Sequence, residues 1–280
     1  PVVREIGSGA TSRVYLARDP FAERDVAIKV FLFDRQVEPQ TERMMHKAFL
    51  TEASLAGKLN HPHIVDIYDA VAEPERSYLV MEYVAGSTLE AHSDVTRLLP
   101  LNKVVEIAFK CIRALEYAHQ HGVIHRDIKP ANVVLLDNGL IKVADFGIAR
   151  ITDSQLTQEG AVIGTPHYMS PEQFMGHAVD ARSDLFSAGV IVYEMLTGEK
   201  PFHGNSLSAV MHSVLNVIPV PPRQLNFAVC DCLSHVVMKA LSKDMRARYT
   251  VLLPAPPESS AATPSSPMPN GPAPSGAVST

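Results

Sequence analysis

The stretch "SDLFSAGVIVYEMLTG", residues 183–198, is apolar nearly all the way round, and a helix without a polar face has to be buried on every side. It needs other helices packed about it, so the chain must build a sizeable helical body. Ser183 or Asp184 can cap its start, and Gly198 its end. A chain of 280 residues with 46% hydrophobic content can bury a core of that kind. A second helix is equally plain. In "LNKVVEIAFKCIRALEYAHQHG" the residues Val104, Ile107, Ala108, Cys111, Ile112 and Leu115 follow i, i+3, i+4, i+7, i+8, i+11, an amphipathic pattern closed by Gly122. More helical segments read near 206–216 and 229–241.

The first third has another texture. "RVYLAR" (13–18) alternates, while "DVAIKVFLF" (25–33) and "SYLVMEYV" (77–84) are β-type apolar runs. One helix, "TERMMHKAFLTEASLAGKL" (41–59), interrupts them. From Val251 the composition collapses into Pro, Ser and Ala with Glu258 as the only charge, a texture that cannot bury enough apolar surface to order itself. The expected architecture is α+β and bilobal: a small β-rich lobe over 1–82, a larger helical lobe over 83–250, and a disordered tail over 251–280.

Composition narrows the function. A net charge of −5 argues against nucleic acid as the main partner, because phosphate backbones want a basic patch. Cys111, Cys230 and Cys232 form no zinc-type pair of CxxC motifs and read as reduced thiols of a cytoplasmic protein. No run of about 18 apolar residues offers a membrane span. The opening on Pro1, with no methionine or signal-like stretch, reads as a fragment, whose parent could carry a membrane anchor or a sensor.

The chemistry gathers in "VIHRDIKPANVVLLDNG" (123–139). Pro130 rules out a continuing helix, so Asp127, Lys129 and Asn132 sit on a loop. The run Val133–Leu136 then reads as a short buried strand closed by the turn Asp137-Asn138-Gly139. A rigid loop aiming an acid, a cation and an amide at one point is a candidate site. "GSGATSRVY" supplies a second element. A dinucleotide-binding turn would need a third glycine and a following helix, yet Ser12 stands there and a strand follows. The glycines Gly7 and Gly9 therefore lie in a hairpin whose backbone N–H groups can approach phosphate oxygens, with Lys29 of "VAIK" as a fixed cation one strand further on.

With "GSGATSRV", "VAIK", "HRDIKPAN", "DFG" and "GTPHYMSPE" in that order, residues 1–250 resemble the eukaryotic-type (Hanks-type) serine/threonine protein kinases, particularly their bacterial members. The resemblance implies transfer of the ATP γ-phosphate to Ser/Thr hydroxyls of proteins with Mg²⁺, or Mn²⁺ in its place, as the metal. It makes Asp127 the group that orients the acceptor hydroxyl and takes its proton. Lys129 neutralises the transferring phosphoryl and marks Ser/Thr specificity. Lys29 holds the α/β-phosphates, braced by a glutamate of the 41–59 helix; Glu52 is the first choice and Glu42 the second. Asn132 and Asp145 are the metal ligands. Ile6, Gly7, Ser8, Gly9, Val14, Ala27 and Val134 line the nucleotide, Met81 is the gatekeeper, and Glu82 and Val84 offer backbone hydrogen bonds to the base. Arg126 awaits a phosphate in the activation segment, best placed at Thr157 among Thr152, Ser154 and Thr157. Thr165 bonds the Asp127/Lys129 loop, Arg248 pairs with Glu172, and Asp184 caps the buried helix while bracing the catalytic loop. His125 and Phe146 belong to the internal spine.

Other readings compete. Asp127, Asn132 and Asp145 could be turn-capping residues. His61/His63 and His119/His121 lack a Cys or carboxylate beside them at ligand spacing and read as ordinary histidines. Members of the family continue after the Arg248 position into another helix, whereas this chain runs into "LLPAPPESS". A pseudokinase scaffold that binds ATP without catalysis is one alternative, and a small-molecule phosphotransferase of the same fold another. Expected partners are protein substrates, and a second copy of the chain during autophosphorylation.

Overall fold

A computed structural model describes residues 1–9, 12–31, 39–73, 76–146 and 166–250, with 39–45 and 76 as backbone only. The expectations for Thr152, Ser154, Thr157, Thr165 and the 251–280 tail lie outside the described residues, as does anything on the side chain of Glu42.

The amino-terminal part is an antiparallel sheet in the order β1-β2-β3-β5-β4. Its strands are β1 (Val2–Ser8), β2 (Ser12–Asp19), β3 (Arg24–Phe31), β4 (Ile67–Glu73) and β5 (Arg76–Glu82). Pairing of Gly7 with Val14 places the glycine segment at the β1–β2 hairpin, as the absence of a following helix required. Gly9 N donates to Ser12 O at 2.8 Å, closing that turn. Helix α1 (Pro39–Ala56) starts two residues earlier and ends sooner than the periodicity predicts. It packs through Phe49 and Ala53 against Phe31 and Leu79, with the Phe31 and Phe49 rings edge to face at 5.2 Å.

The remainder is helical: α2 (Leu101–Gln120), α3 (Pro171–Phe174), α4 (Ala181–Thr197), α5 (Leu207–Asn216), α6 (Pro222–Leu225) and α7 (Asp231–Ala240). A small sheet, β6 (Ser87–Thr88), β7 (Val133–Leu135) and β8 (Ile141–Val143), lies between the two parts. The helix that is apolar all round, α4, is the core of this half: Phe186, Val190 and Leu196 are buried to about the same degree as Val104 and Leu115 on α2. The two helices belong to one continuous apolar cluster, consistent with the all-round hydrophobicity of α4.

Its start needs a correction. Neither Ser183 nor Asp184 caps α4; Asp180 does, its carboxylate accepting from Arg182 N at 2.8 Å. Ser183 and Asp184 fall in the first turn instead, facing inward, where both are committed to polar partners below. Gly198 closes the helix as expected, in the left-handed region at φ 75°, where a Cβ would stand 2.7 Å from the Val95 backbone.

Candidate active site

The loop that carries Asp127 is set by the end of α2. Gly122, at φ 75°, lets Gly122 N reach His119 O and Val123 N reach Ala118 O, a Schellman closure that turns the chain sharply out of the helix. Val123 is buried beyond the turn and anchors the exit.

What holds the next residues is one carboxylate from 58 positions away. Asp184 Oδ2 accepts from His125 N at 2.8 Å and Oδ1 from Arg126 N at 2.8 Å, while the His119 ring meets Oδ2 at 2.7 Å. Arg126 sits at φ 68°, a left-handed conformation that costs a non-glycine residue on the order of 1–3 kcal/mol. Asp184 pins its N–H and the Gln173 side chain pins its C=O at 2.7 Å, so the strained backbone is held from both ends. Gln173 is itself oriented by Ser170 in a capping box at the start of α3.

His125 is fully buried and carries the constraint onward. Its Nδ1 accepts from Asp127 N at 3.3 Å, which leaves the proton on Nε2 to be donated to Ala144 O at 2.8 Å. Its ring packs on Phe146 at 4.6 Å, so the catalytic loop and the "ADF" segment are tied together through one imidazole, as the spine assignment requires. Asp127 Oδ2 meets Lys129 Nζ at 2.6 Å and Asn132 Nδ2 at 3.2 Å. Asn132 also donates to Asp127 O at 2.8 Å, and Pro130 opens the single turn Pro130–Asn132 that presents it. Both donors of the amide thus point into the loop, and its Oδ1 accepts no hydrogen bond among the described residues. The cation and the amide converge on the carboxylate of the acid.

Across the cleft, Lys29 on β3 reaches Asp145 Oδ2 at 2.7 Å. Burial alone would raise the Asp145 carboxyl; the Lys29 ammonium outweighs it and holds the group below the usual carboxylate range. Asp145, like Arg126, has a positive φ, 66°. The expected partner of Lys29, Glu52, lies elsewhere: its Oε1 is 3.8 Å from the Arg126 guanidinium, and no Lys29–Glu52 pair occurs among the described residues.

Between β1–β3 and β5, Ala27, Met81 and Val65 form a buried apolar slot, with Ile6, Val14, Tyr83, Val84 and Ala144 packed against it. Five residues expected at the nucleotide base fall there, joined by Val65, Tyr83 and Ala144, which carried no signal in the sequence. Val134 lies on β7, outside that cluster. Gly7, Ser8 and Gly9 lie at the hairpin above it. Glu82 N donates to Asp66 O at 2.9 Å and its carboxylate meets Lys142 at 2.6 Å, so its main-chain N–H is already taken.

Beneath the loop, Arg248 forms two bonds to Glu172, at 2.7 and 2.9 Å, with both side chains buried. The Ser183 hydroxyl donates to the same carboxylate, and Arg248 further donates to Ser242 O, Lys243 O and Arg182 O. The histidine pairs resolve by partner. His119 finds a carboxylate after all, in Asp184, and His63 Nδ1 meets Ile141 O at 3.0 Å. Among the described residues no group of three or more His, Cys, Asp or Glu side chains is arranged to hold a metal ion. The two ligands expected from the sequence, Asn132 and Asp145, would offer an amide oxygen and a carboxylate, a set that would fit Mg²⁺, an ion that commonly takes one or two protein oxygens and completes its shell with water and substrate phosphate.

A five-stranded sheet over a helical body, with a glycine hairpin, a half-buried lysine and an Asp-x-Lys-x-x-Asn loop at their junction, defines a protein kinase. Comparison with known proteins agrees: the protein kinase domain family matches residues 1–254. The serine/threonine-protein kinase PknB of Mycobacterium leprae is 45% identical over 251 residues, 87% of this chain and 40% of the relative. The proteins of the same name from Mycolicibacterium smegmatis and Mycobacterium tuberculosis are 45% and 43% identical over similar spans. The chain belongs to the protein kinase family and is a serine/threonine kinase domain of the bacterial, Hanks-type branch. It spans about two-fifths of the length of the curated relatives it matches. Membership implies ATP, a divalent metal and protein substrates in general terms. No helix among the described residues is long and apolar enough to cross a membrane.

Proposed function

We propose that this chain transfers the γ-phosphoryl group of ATP to Ser or Thr hydroxyls of protein substrates, with Asp127 at the acceptor and Asn132 and Asp145 holding Mg²⁺. The observation that carries this reading is the convergence of Lys129 and Asn132 on the Asp127 carboxylate, on a loop whose strained backbone is fixed by Asp184 and Gln173. Turn-capping would not require that buried support.

In the reaction, the acceptor oxygen bonds to the γ-phosphorus as the bond to the β–γ bridging oxygen breaks, and the bridging oxygen leaves on ADP. Asp127 orients the hydroxyl and takes its proton. Lys129, already 2.6 Å from Asp127, places a cation beside the transferring group. Lys29 holds the phosphates, and the slot formed by Val14, Ala27, Met81 and Val84 takes the adenine. A bound Mg²⁺ would neutralise phosphate charge.

Activity depends on Lys29 exchanging its partner. In the described arrangement Asp145 occupies Lys29 and Arg126 lies beside Glu52. Phosphate on Thr157 would give Arg126 a doubly charged anion in place of a carboxylate at 3.8 Å, leaving Glu52 for Lys29 and Asp145 for the metal. Autophosphorylation at Thr157, through contact between two copies, is the expected route. Incubation with ATP and Mg²⁺ followed by mass spectrometry should place phosphate on Thr157, and Thr157→Ala should lower activity on a protein acceptor. Full activity of Thr157→Ala would remove this regulation, and phosphorylation of a small metabolite but no protein would favour the small-molecule alternative.

A further inference from the structure

Below the active site, α2, α4 and α7 enclose an open apolar groove of about 480 Å³. Ile107, Cys111, Ile112, Leu185, Val192 and Val237 line it, and Glu116 is the one Asp, Glu, Lys, Arg or His among the described residues of its wall. Ile112 and Val236, both part of this lining, are 37% and 47% exposed, a larger apolar opening than isolated surface residues make. The kinase chemistry does not use it.

We propose that this groove is a docking site for the chain's own continuation, Val251-Leu252-Leu253. Three observations select that occupant. The last described residues, Tyr249 and Thr250, are themselves part of the groove wall, so the chain leaves the fold inside the groove rather than away from it. The segment that follows begins with three consecutive large aliphatic residues, and of the thirty residues 251–280 only Met268 and Val278 are otherwise large and apolar. The segment is uncharged until Glu258, matching an apolar wall, and Pro254, Pro256 and Pro257 stop it from continuing as a helix. Three extended residues reach roughly 10 Å onward from Thr250, which already stands on the groove wall. The segment would then serve as a short apolar plug that closes the base of the helical body.

The test uses the whole chain. Leu252→Asp with Leu253→Asp should lower Tm by about 5 °C or more, whereas removal of 254–280 should leave it unmoved. Because the double variant could fail by misfolding, hydrogen exchange on the unchanged chain provides an independent reading. The amides of Leu252 and Leu253 should exchange more slowly than those of 270–280, and removal of 251–280 should speed exchange along α7. Fast exchange at 252 and 253, or a Tm indifferent to the double variant, would overturn the proposal. A Tm that rises with protein concentration, with the effect of the double variant vanishing on dilution, would assign the groove to a second copy and also overturn it.

Discussion

The two sides of the cleft are built on opposite principles. Below it, Glu172, Arg248, Ser183, Asp184 and His119 are buried, and Glu172, Arg248 and Asp184 each make several hydrogen bonds at once. Above it, Lys29 meets Asp145 at 2.7 Å and Glu52 stands 3.8 Å from Arg126, with side chains that solvent still reaches. A buried network so densely bonded favours one arrangement. The Lys29–Asp145 pair, partly solvated and outside such a network, can exchange partners when the charges near it change. Kinase chemistry needs both kinds: a fixed acid at the acceptor and a phosphate clamp able to change partners. The cost of that division is that stability and activity should respond to different residues.

The largest effect on stability should come from breaking the lower network. Arg248→Met leaves the Glu172 carboxylate buried without its cation, a change that costs about 3–5 kcal/mol, and calorimetry should show Tm falling by roughly 10 °C or more. Glu172→Gln with Arg248→Met should recover part of that loss, because the uncompensated charge is gone. An Arg248→Met chain that melts with the wild type would dissolve the comparison.

The same pair sets an acid limit. Burial raises the Glu172 carboxyl, but Arg248 and Ser183 more than offset it, so the folded-state value is depressed. A depressed carboxyl contributes stability above its unfolded value, about pH 4, and loses it as pH falls through the lower folded value. Tm of the wild type should therefore fall more steeply below about pH 4 than that of the Glu172→Gln, Arg248→Met chain. Parallel curves would mean that the pair is not ionised in the fold.

Above the cleft the pattern reverses. Lys29→Met should change Tm by no more than a few degrees, since the pair is partly solvated, yet remove most of kcat/KM. Glu52→Gln should show a similar defect and add little to Lys29→Met, because the two act as one unit in the phosphorylated state. If Glu42→Gln rather than Glu52→Gln is coupled to Lys29, the choice of glutamate is wrong. The smallest effect is expected at the far end: removal of 254–280 should shift Tm by about 1 °C or less.

This division also explains what could be read without coordinates. Asp127, Lys129 and Asn132 lie within six positions around a proline, so short-range sequence determines where they meet. The bilobal architecture followed from periodicity, and α4 identified its own burial. Three things were not legible. The cap of α4 is Asp180, because several Asp and Ser residues precede it and only packing decides which faces inward. Strand β4 hid in "IYDAVAE", whose alternation is spoiled by a register shift between Ile67 and Asp69. The partner of Glu52 depends on where α1 lies against the cleft, a tertiary quantity that no local pattern encodes. The Glu172–Arg248 pair, 76 residues apart, was visible only through family resemblance.

The account stands on Asp127 as the group that acts at the acceptor while others bind the nucleotide. Asp127→Asn keeps the side chain's shape, and its neighbours His125, Asn132 and Asp184 are untouched, so the loop should stay folded. The direct measurement is phosphoryl transfer to a protein acceptor at saturating ATP, alongside nucleotide affinity by calorimetry on the same preparation. Transfer should be lost by at least about a hundredfold, the lower range for a positioned general base, with affinity for nucleotide nearly unchanged. Turnover close to wild type would contradict the assignment, and equal loss of both binding and turnover would mean that Asp127 holds the loop together rather than serving the reaction.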